Sequence, residues 1–431
     1  MQGQAAGTQT RVQPRNTHGV GDNHLPLVIY VLAIGTFLML TTEFVVAGIL
    51  PQIAEDFEID IPQAGLLITV FAVGMVVGAP LMAMLTLRLP RRLTLILALV
   101  VFAIGHLIVA LASNFQAVLM ARFLTALATG AFWAVAAVVA TQAAGPARGA
   151  RAMGLVNAGG MLATVIGVPL GAILGQTIGW RGTFWALAAL ALIVAVPIAR
   201  HVPHETRPGT GGSLSSELSA LRSTRLWVAL AACATTTGGV LAAYSYISPL
   251  LTDQAAVPAS LVPLALTGFG VGSLAGSILG GRNGDKHPYF ITILAPAVTA
   301  ILLLLICLLS GQPILTVVLA VLLGLFGLGA NPVLISLAVR FAGSAPTLGS
   351  SLSVSAFNVG TAAGSWLAGL SLTTPMGVRG PAALGAIIVA LTLIPVLALA
   401  SNARGKGVVM ASDAGAAAVG GRNAEKIPVG V

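Results

Sequence analysis

Long apolar runs alternate with short polar breaks along almost the whole chain. A helix needs about 20 apolar residues to cross the hydrocarbon core of a bilayer. By that measure the pattern predicts twelve membrane-spanning helices, over 25–50, 64–87, 93–113, 117–140, 152–178, 183–199, 226–250, 261–281, 289–309, 314–341, 349–372 and 382–400. The polar stretch 201–225 separates the first six from the last six. Two six-helix bundles are therefore expected, over 25–200 and 226–400, joined by a cytoplasmic linker. Residues 1–24 are rich in Gln, Gly and Asn, and 401–431 in Gly and Ala; both read as disordered cytoplasmic tails.

Composition supports lipid as the solvent. Only 8% of the 431 residues are charged and 57% are hydrophobic, with a mean hydropathy of +0.98. A soluble domain carries about 25% charged residues. The fold class is therefore an all-α, polytopic membrane protein. The first run is too long for the core of a cleavable signal peptide. Cys233 and Cys307 fall inside apolar runs and read as small core residues, with no disulfide expected.

The net charge of +9 would point to nucleic acid in a soluble protein. Here the basic residues sit in short loops and tails, where they set topology and meet anionic lipid. With the N-terminus inside, Arg88, Arg91, Arg92, Arg148, Arg151, Arg200, Arg282, Lys286, Arg340 and Lys406 fall on the cytoplasmic side. Arg181 and Arg379 fall outside, beside a first outer loop carrying Glu55, Asp56, Glu58 and Asp60. This positive-inside pattern predicts that both termini are cytoplasmic.

The halves also look alike. Gly74, Gly78 and Met82 of the second span align at one offset with Gly272, Gly276 and Gly280 of the eighth. Such glycines recur every four residues, on one helical face, and let neighbouring helices approach. Six-plus-six repeats around a polar loop are a transporter architecture with its substrate site near the midplane.

One acid interrupts the apolar runs. Glu43 lies between Leu38-Met39-Leu40 and Val45-Val46-Ala47. A carboxylate at a helix centre in hydrocarbon costs about 2.5–3.5 kcal/mol on insertion scales, so it marks a functional site. Burial and neighbouring charge act in opposite directions on a carboxyl group's hold on its proton. Glu43 is thus a candidate to load and release a proton as its surroundings change; the alternative is an acid that only glues helices together.

Arg122, in the fourth span, lies at about the same depth. It either pairs with Glu43 or snorkels to the outer headgroups. The turn Arg88-Leu89-Pro90-Arg91-Arg92 is a candidate gating element as well as a topology signal. Gly167, Pro169 and Gly171 should bend the fifth span, since proline removes a backbone hydrogen bond. Phe132, Trp133, Asn157, Tyr244, Tyr246, Asn331 and Asn358 are candidates, with Glu43, to contact substrate; each amide could equally bond helix to helix. His106 reads as a packing residue. No Gly-Lys-Ser or Gly-Lys-Thr sequence marks a nucleotide site. No metal constellation or nucleophile elbow is seen, so neither a cofactor nor an enzyme is expected.

Five stretches together resemble a known family: Thr42-Glu43-Phe44 with Gly48-Ile49-Leu50-Pro51; Ala64-Gly65 through Gly74 to Gly78-Ala79-Pro80; Arg122 with Ala126 and Gly130; Gly167, Pro169 and Gly171 on to Gly179-Trp180-Arg181; and Ala356-Phe357-Asn358-Val359-Gly360 with Gly364-Ser365-Trp366. Over about residues 25–400 the chain resembles the drug:proton antiporter-1 branch of the major facilitator superfamily, most of all the actinobacterial chloramphenicol exporters. The resemblance implies a monomeric, multi-pass transporter of the bacterial inner membrane that exchanges protons for a small amphipathic drug. Export of a sugar or nucleoside metabolite is the alternative, and a non-transporting receptor a third reading. It also implies that Glu43 takes part in proton and substrate recognition and Arg122 in proton coupling. The family's first basic turn is preceded by an acid; here Leu87 stands in that place, and Asp285 takes the matching place in the second half.

Overall fold

The computed structural model describes residues 25–86, 89–145, 148–202, 220–343 and 345–400. Its helices are α1 Leu27–Asp56, α2 Ile61–Thr86, α3 Arg91–Leu111, α4 Phe115–Ala144, α5 Gly149–Leu162, α6 Val168–Ile178, α7 Trp180–His201, α8 Thr224–Tyr244, α9 Val262–Lys286, α10 Pro288–Leu309, α11 Pro313–Gly327, α12 Asn331–Phe341, α13 Pro346–Leu372 and α14 Gly377–Ala400. Predicted spans five and ten are each divided. α5 and α6 are joined by a π-helical turn, Ala163–Gly167, just before Pro169, which has no N–H to continue the regular ladder. α11 and α12 are separated by a break at 328–330.

Among the described residues, eleven segments are long and apolar enough to cross a membrane. α13 is as long as these at 27 residues but carries Ser350, Ser351, Ser353, Ser355 and Asn358, and is not among them. The twelve predicted spans thus all appear as helical segments, one of them polar.

Local chemistry sets the boundaries. Asn114 Oδ1 accepts from Ala117 N at 2.8 Å and caps α4. Gly179, at φ 81°, turns α6 sharply into α7, a backbone conformation that favours glycine. Large apolar side chains such as Ile193, Leu264, Ile314 and Ile394 remain more than 60% exposed, as a surface bathed in lipid requires.

Helices α1–α7 pack as one bundle and α8–α14 as the other. The glycine repeat does the same work in both. A Cβ on Gly74 would meet Ala126 of α4, and one on Gly272, Gly276 or Gly280 would meet the backbone of α11 or of Gly329 just beyond it. Between bundles, α2 lies along α13 and the π turn and α6 lie along α9. Gly167, Gly171 and Gly175 do not face that interface. They seat Thr41, Val45 and Ile49 of α1, so the glycine stripe closes the first bundle instead of lubricating the seam. The tails, Arg88 and most of the linker lie outside the described residues, as does the side chain of Asp285.

Candidate functional site

The two bundles enclose a cavity beside Glu43. Its walls are Glu43, Phe44 and Ala47 of α1, Ile68, Phe71 and Ala72 of α2, Leu241, Tyr244 and Ser245 at the end of α8, and Thr361 of α13. Its volume is only about 10 Å³, room for on the order of one water molecule. Sites for drug-sized ligands occupy about 300–1,000 Å³, so the bundles must part before a substrate enters.

An aromatic wall runs across the seam. The ring of Phe44 meets Tyr244 edge-on at 6.1 Å, and Tyr244 stacks on Phe269 of α9 at 4.3 Å. Glu43 is the one acid on this wall.

Arg122 is fully buried, which rules out snorkelling. Its Nη1 donates to Thr42 O at 3.0 Å and Thr42 Oγ1 at 2.9 Å, and Nε donates to Leu67 O at 3.4 Å. The guanidinium lies over the Phe71 ring at 4.3 Å, a cation–π contact. Arg122 therefore holds the residue before Glu43 and the ring beside it. The two opposite charges act on each other, yet no Glu43–Arg122 ion pair forms among the described residues. Nη2 of Arg122 has no hydrogen-bond partner there.

Thr42 carries a second bond. His106 Nε2 lies 2.7 Å from Thr42 Oγ1, and His106 Nδ1 lies 2.7 Å from Phe102 O. Residue types alone do not reveal this hub. The available signal is depth: α3 runs in the same direction as α1, and His106 lies as far from the start of its helix as Thr42 does from the start of α1, which brings the two level.

The other sequence candidates are dispersed. Tyr244 lines the cavity. Tyr246 lies above it, where α8 breaks; its Oη donates to Ser365 O at 3.1 Å, and it fills the space left by Gly65 and Gly369. Asn358 Nδ2 donates to Val354 O at 3.0 Å, while its Oδ1 and that of Asn331 are buried without a partner among the described residues. Phe132 is away from the cavity, packed on Gly35 inside the first bundle, and Trp133 is half-buried beside it. Asn157 is exposed near one end of the seam, and Gly154 there faces open space. Arg91 donates to Gln142, joining the start of α3 to the end of α4.

The opposite end of the seam is closed. Thr69 Oγ1 and Ser365 Oγ are 2.8 Å apart, and Gln176 Nε2 donates to Ala259 O at 2.7 Å. Nearby, Arg181 pairs with Asp56 at 2.5 Å and stacks on Trp180.

Two helical bundles around a cavity, with an acid in its wall and a buried cation behind it, define a multi-pass membrane transporter. The chain belongs to the Major Facilitator Superfamily, whose model matches residues 32–258. It is 34% identical over 373 residues to the chloramphenicol resistance protein of Streptomyces lividans, covering 86% of this chain and 95% of that one. It is 33% identical over 369 residues to the inner membrane transport protein YdhP of Escherichia coli K12, covering 84% and 93%. In fold it is similar to a bacterial homologue of the human lysosomal transporter Spinster, crystallised inward-facing and unoccupied. The TM-score is 0.70 at 17% identity, covering 87% of this chain and 95% of that one.

Proposed function

We propose that this chain is a proton-coupled exporter of a small amphipathic compound of the chloramphenicol type, working in a bacterial cell membrane with both termini in the cytoplasm. The observation that carries this reading is the position of Glu43. It stands in the wall of the cavity between the bundles, with Phe44 and Tyr244 beside it and the Arg122 charge behind it. A proton or a substrate reaching that cavity meets the same carboxylate. Competition for one group is the simplest coupling of two fluxes, because each ligand lowers the other's affinity by the same factor. The aromatic wall supplies apolar area and ring faces for an aryl compound. The relationship to the Streptomyces resistance protein supports the choice of substrate.

On the positive-inside orientation, the closed end at Thr69, Ser365 and Gln176 faces outward and the open end at Asn157 faces the cytoplasm. Parting of the bundles at that end would admit substrate from inside.

Chloramphenicol accumulation in cells expressing wild type or Glu43→Gln, with and without a protonophore, tests the proposal. Low accumulation is expected in wild type alone, and only without protonophore. Low accumulation in the Gln variant would remove Glu43 from the mechanism. Equal accumulation in all four arms would move the substrate to the sugars and nucleosides.

A further inference from the structure

Four residues on three helices form one directional chain of hydrogen bonds behind Glu43. Phe102 O can only accept, so His106 Nδ1 carries a hydrogen and donates to it at 2.7 Å. A neutral ring then offers Nε2 as an acceptor, and Thr42 Oγ1 gives its proton there at 2.7 Å. With its proton spent, that hydroxyl accepts from Arg122 Nη1 at 2.9 Å. Every donor and acceptor along the path is used once, and reversing any one bond leaves two donors or two lone pairs face to face. His106 and Arg122 are both fully buried, so water cannot substitute.

We propose that His106 is a positioning residue for proton coupling: by accepting from Thr42 it holds Arg122 docked on α1, one residue from Glu43 and short of an ion pair with it. The electrostatic setting of the Glu43 carboxyl is thus determined from α3, a helix that contributes nothing to the cavity. The inference deepens the proton-carrier reading of Glu43 and rests on it.

The surroundings of His106 leave this role little competition. From α4 the charge acting on it is Arg122. α1 presents Thr42, with Glu43 next in sequence. From α7 it meets the Phe184 ring at 5.7 Å, and from its own helix the Phe102 ring at 4.0 Å. Among the described residues no acid pairs with it. Protonation of His106 would make both ring nitrogens donors. The Thr42 hydroxyl would then have to turn its proton to another acceptor, and Arg122 would share the Thr42 oxygen with a second donor.

The test reads Glu43 directly and needs no transport substrate. Dicyclohexylcarbodiimide attaches to protonated carboxyl groups in apolar surroundings, and its adduct on Glu43 can be followed by mass spectrometry across a pH series. The protein is the full chain purified in detergent, with Glu43→Gln as the blank. Wild type should show a pH midpoint of labelling. His106→Leu and Thr42→Val should displace that midpoint by about one pH unit, the scale of shift that a changed neighbouring charge produces. His106→Gln, which keeps an acceptor for the Thr42 hydroxyl, should restore it. Thr42→Val preserves volume and keeps the test alive if His106→Leu does not fold. An unchanged midpoint in Thr42→Val, or in a folded His106→Leu, overturns the positioning role while leaving Glu43 as the carrier. Labelling of wild-type Glu43 at no pH overturns the carrier reading, and this inference with it.

Discussion

Arg122 shows how a buried cation can be stable without a salt bridge. Burying an unpaired charge costs several kcal/mol, and here the compensation comes from two backbone carbonyls, one hydroxyl and one ring face. Only a planar, forked donor can serve these at once. Arg122→Lys keeps the charge but offers a single point donor. Proton-driven uptake into inside-out vesicles should fall by on the order of tenfold, equivalent to about 1.4 kcal/mol of lost stabilisation. Uptake equal to wild type would show that the charge alone suffices.

At the same scale, the sequence exposes the acid and hides its support. Glu43 stands out because nothing else in the apolar runs is acidic. Arg122 stands out for the same reason, but its partners could not be read: two are backbone oxygens that any residue would provide, and the third is the hydroxyl of Thr42, one threonine among several in the apolar runs. Phe44 and Phe269 belong to the aromatic wall, yet phenylalanine is too common in a lipid-facing helix to be singled out. Phe132 errs the other way: it looks like a ligand contact and proves to be the filling for Gly35.

Elements were more legible than sites. Apolar run length locates every span, because the bilayer imposes one length on all of them. What the runs conceal are the interruptions. The π turn at Ala163–Gly167 was signalled by Pro169, whereas the break at 328–330 was not foreseen. Helix–helix contact is also unequal along one element. A Cβ on Gly159 of α5 would lie 2.1 Å from Ala33 O of α1, a backbone atom that cannot swing away. A Cβ on Gly154, on the same helix, would meet nothing within 4 Å. Gly159→Ala should therefore destabilise by about 1–3 kcal/mol through overpacking. Gly154→Ala should be neutral or gain up to about 1 kcal/mol of helix propensity. Thermal unfolding of the two variants in detergent separates them, and equal melting temperatures would contradict the close approach of α5 and α1.

For the whole molecule, the seam is asymmetric. Polar side chains and Tyr246 close one end, while Asn157 and Gly154 remain open at the other. A cysteine at position 157 reports on this. An impermeant maleimide should label Asn157→Cys in inside-out vesicles and leave it unlabelled in intact cells. Labelling in intact cells alone would invert the orientation drawn from the arginines. Cys233 and Cys307 are buried and should contribute little background.

The polarity of α13 has a further result for how the molecule is made. A segment with four serines and an asparagine between positions 350 and 358 gains little from partitioning alone into lipid when it leaves the ribosome. It comes to rest between α2 and α8, both synthesised earlier. Biogenesis must therefore be ordered: the first bundle serves as an intramolecular chaperone for the penultimate span. The second half of the chain, translated by itself, should hold that span less firmly, with α8 but not α2 to receive it.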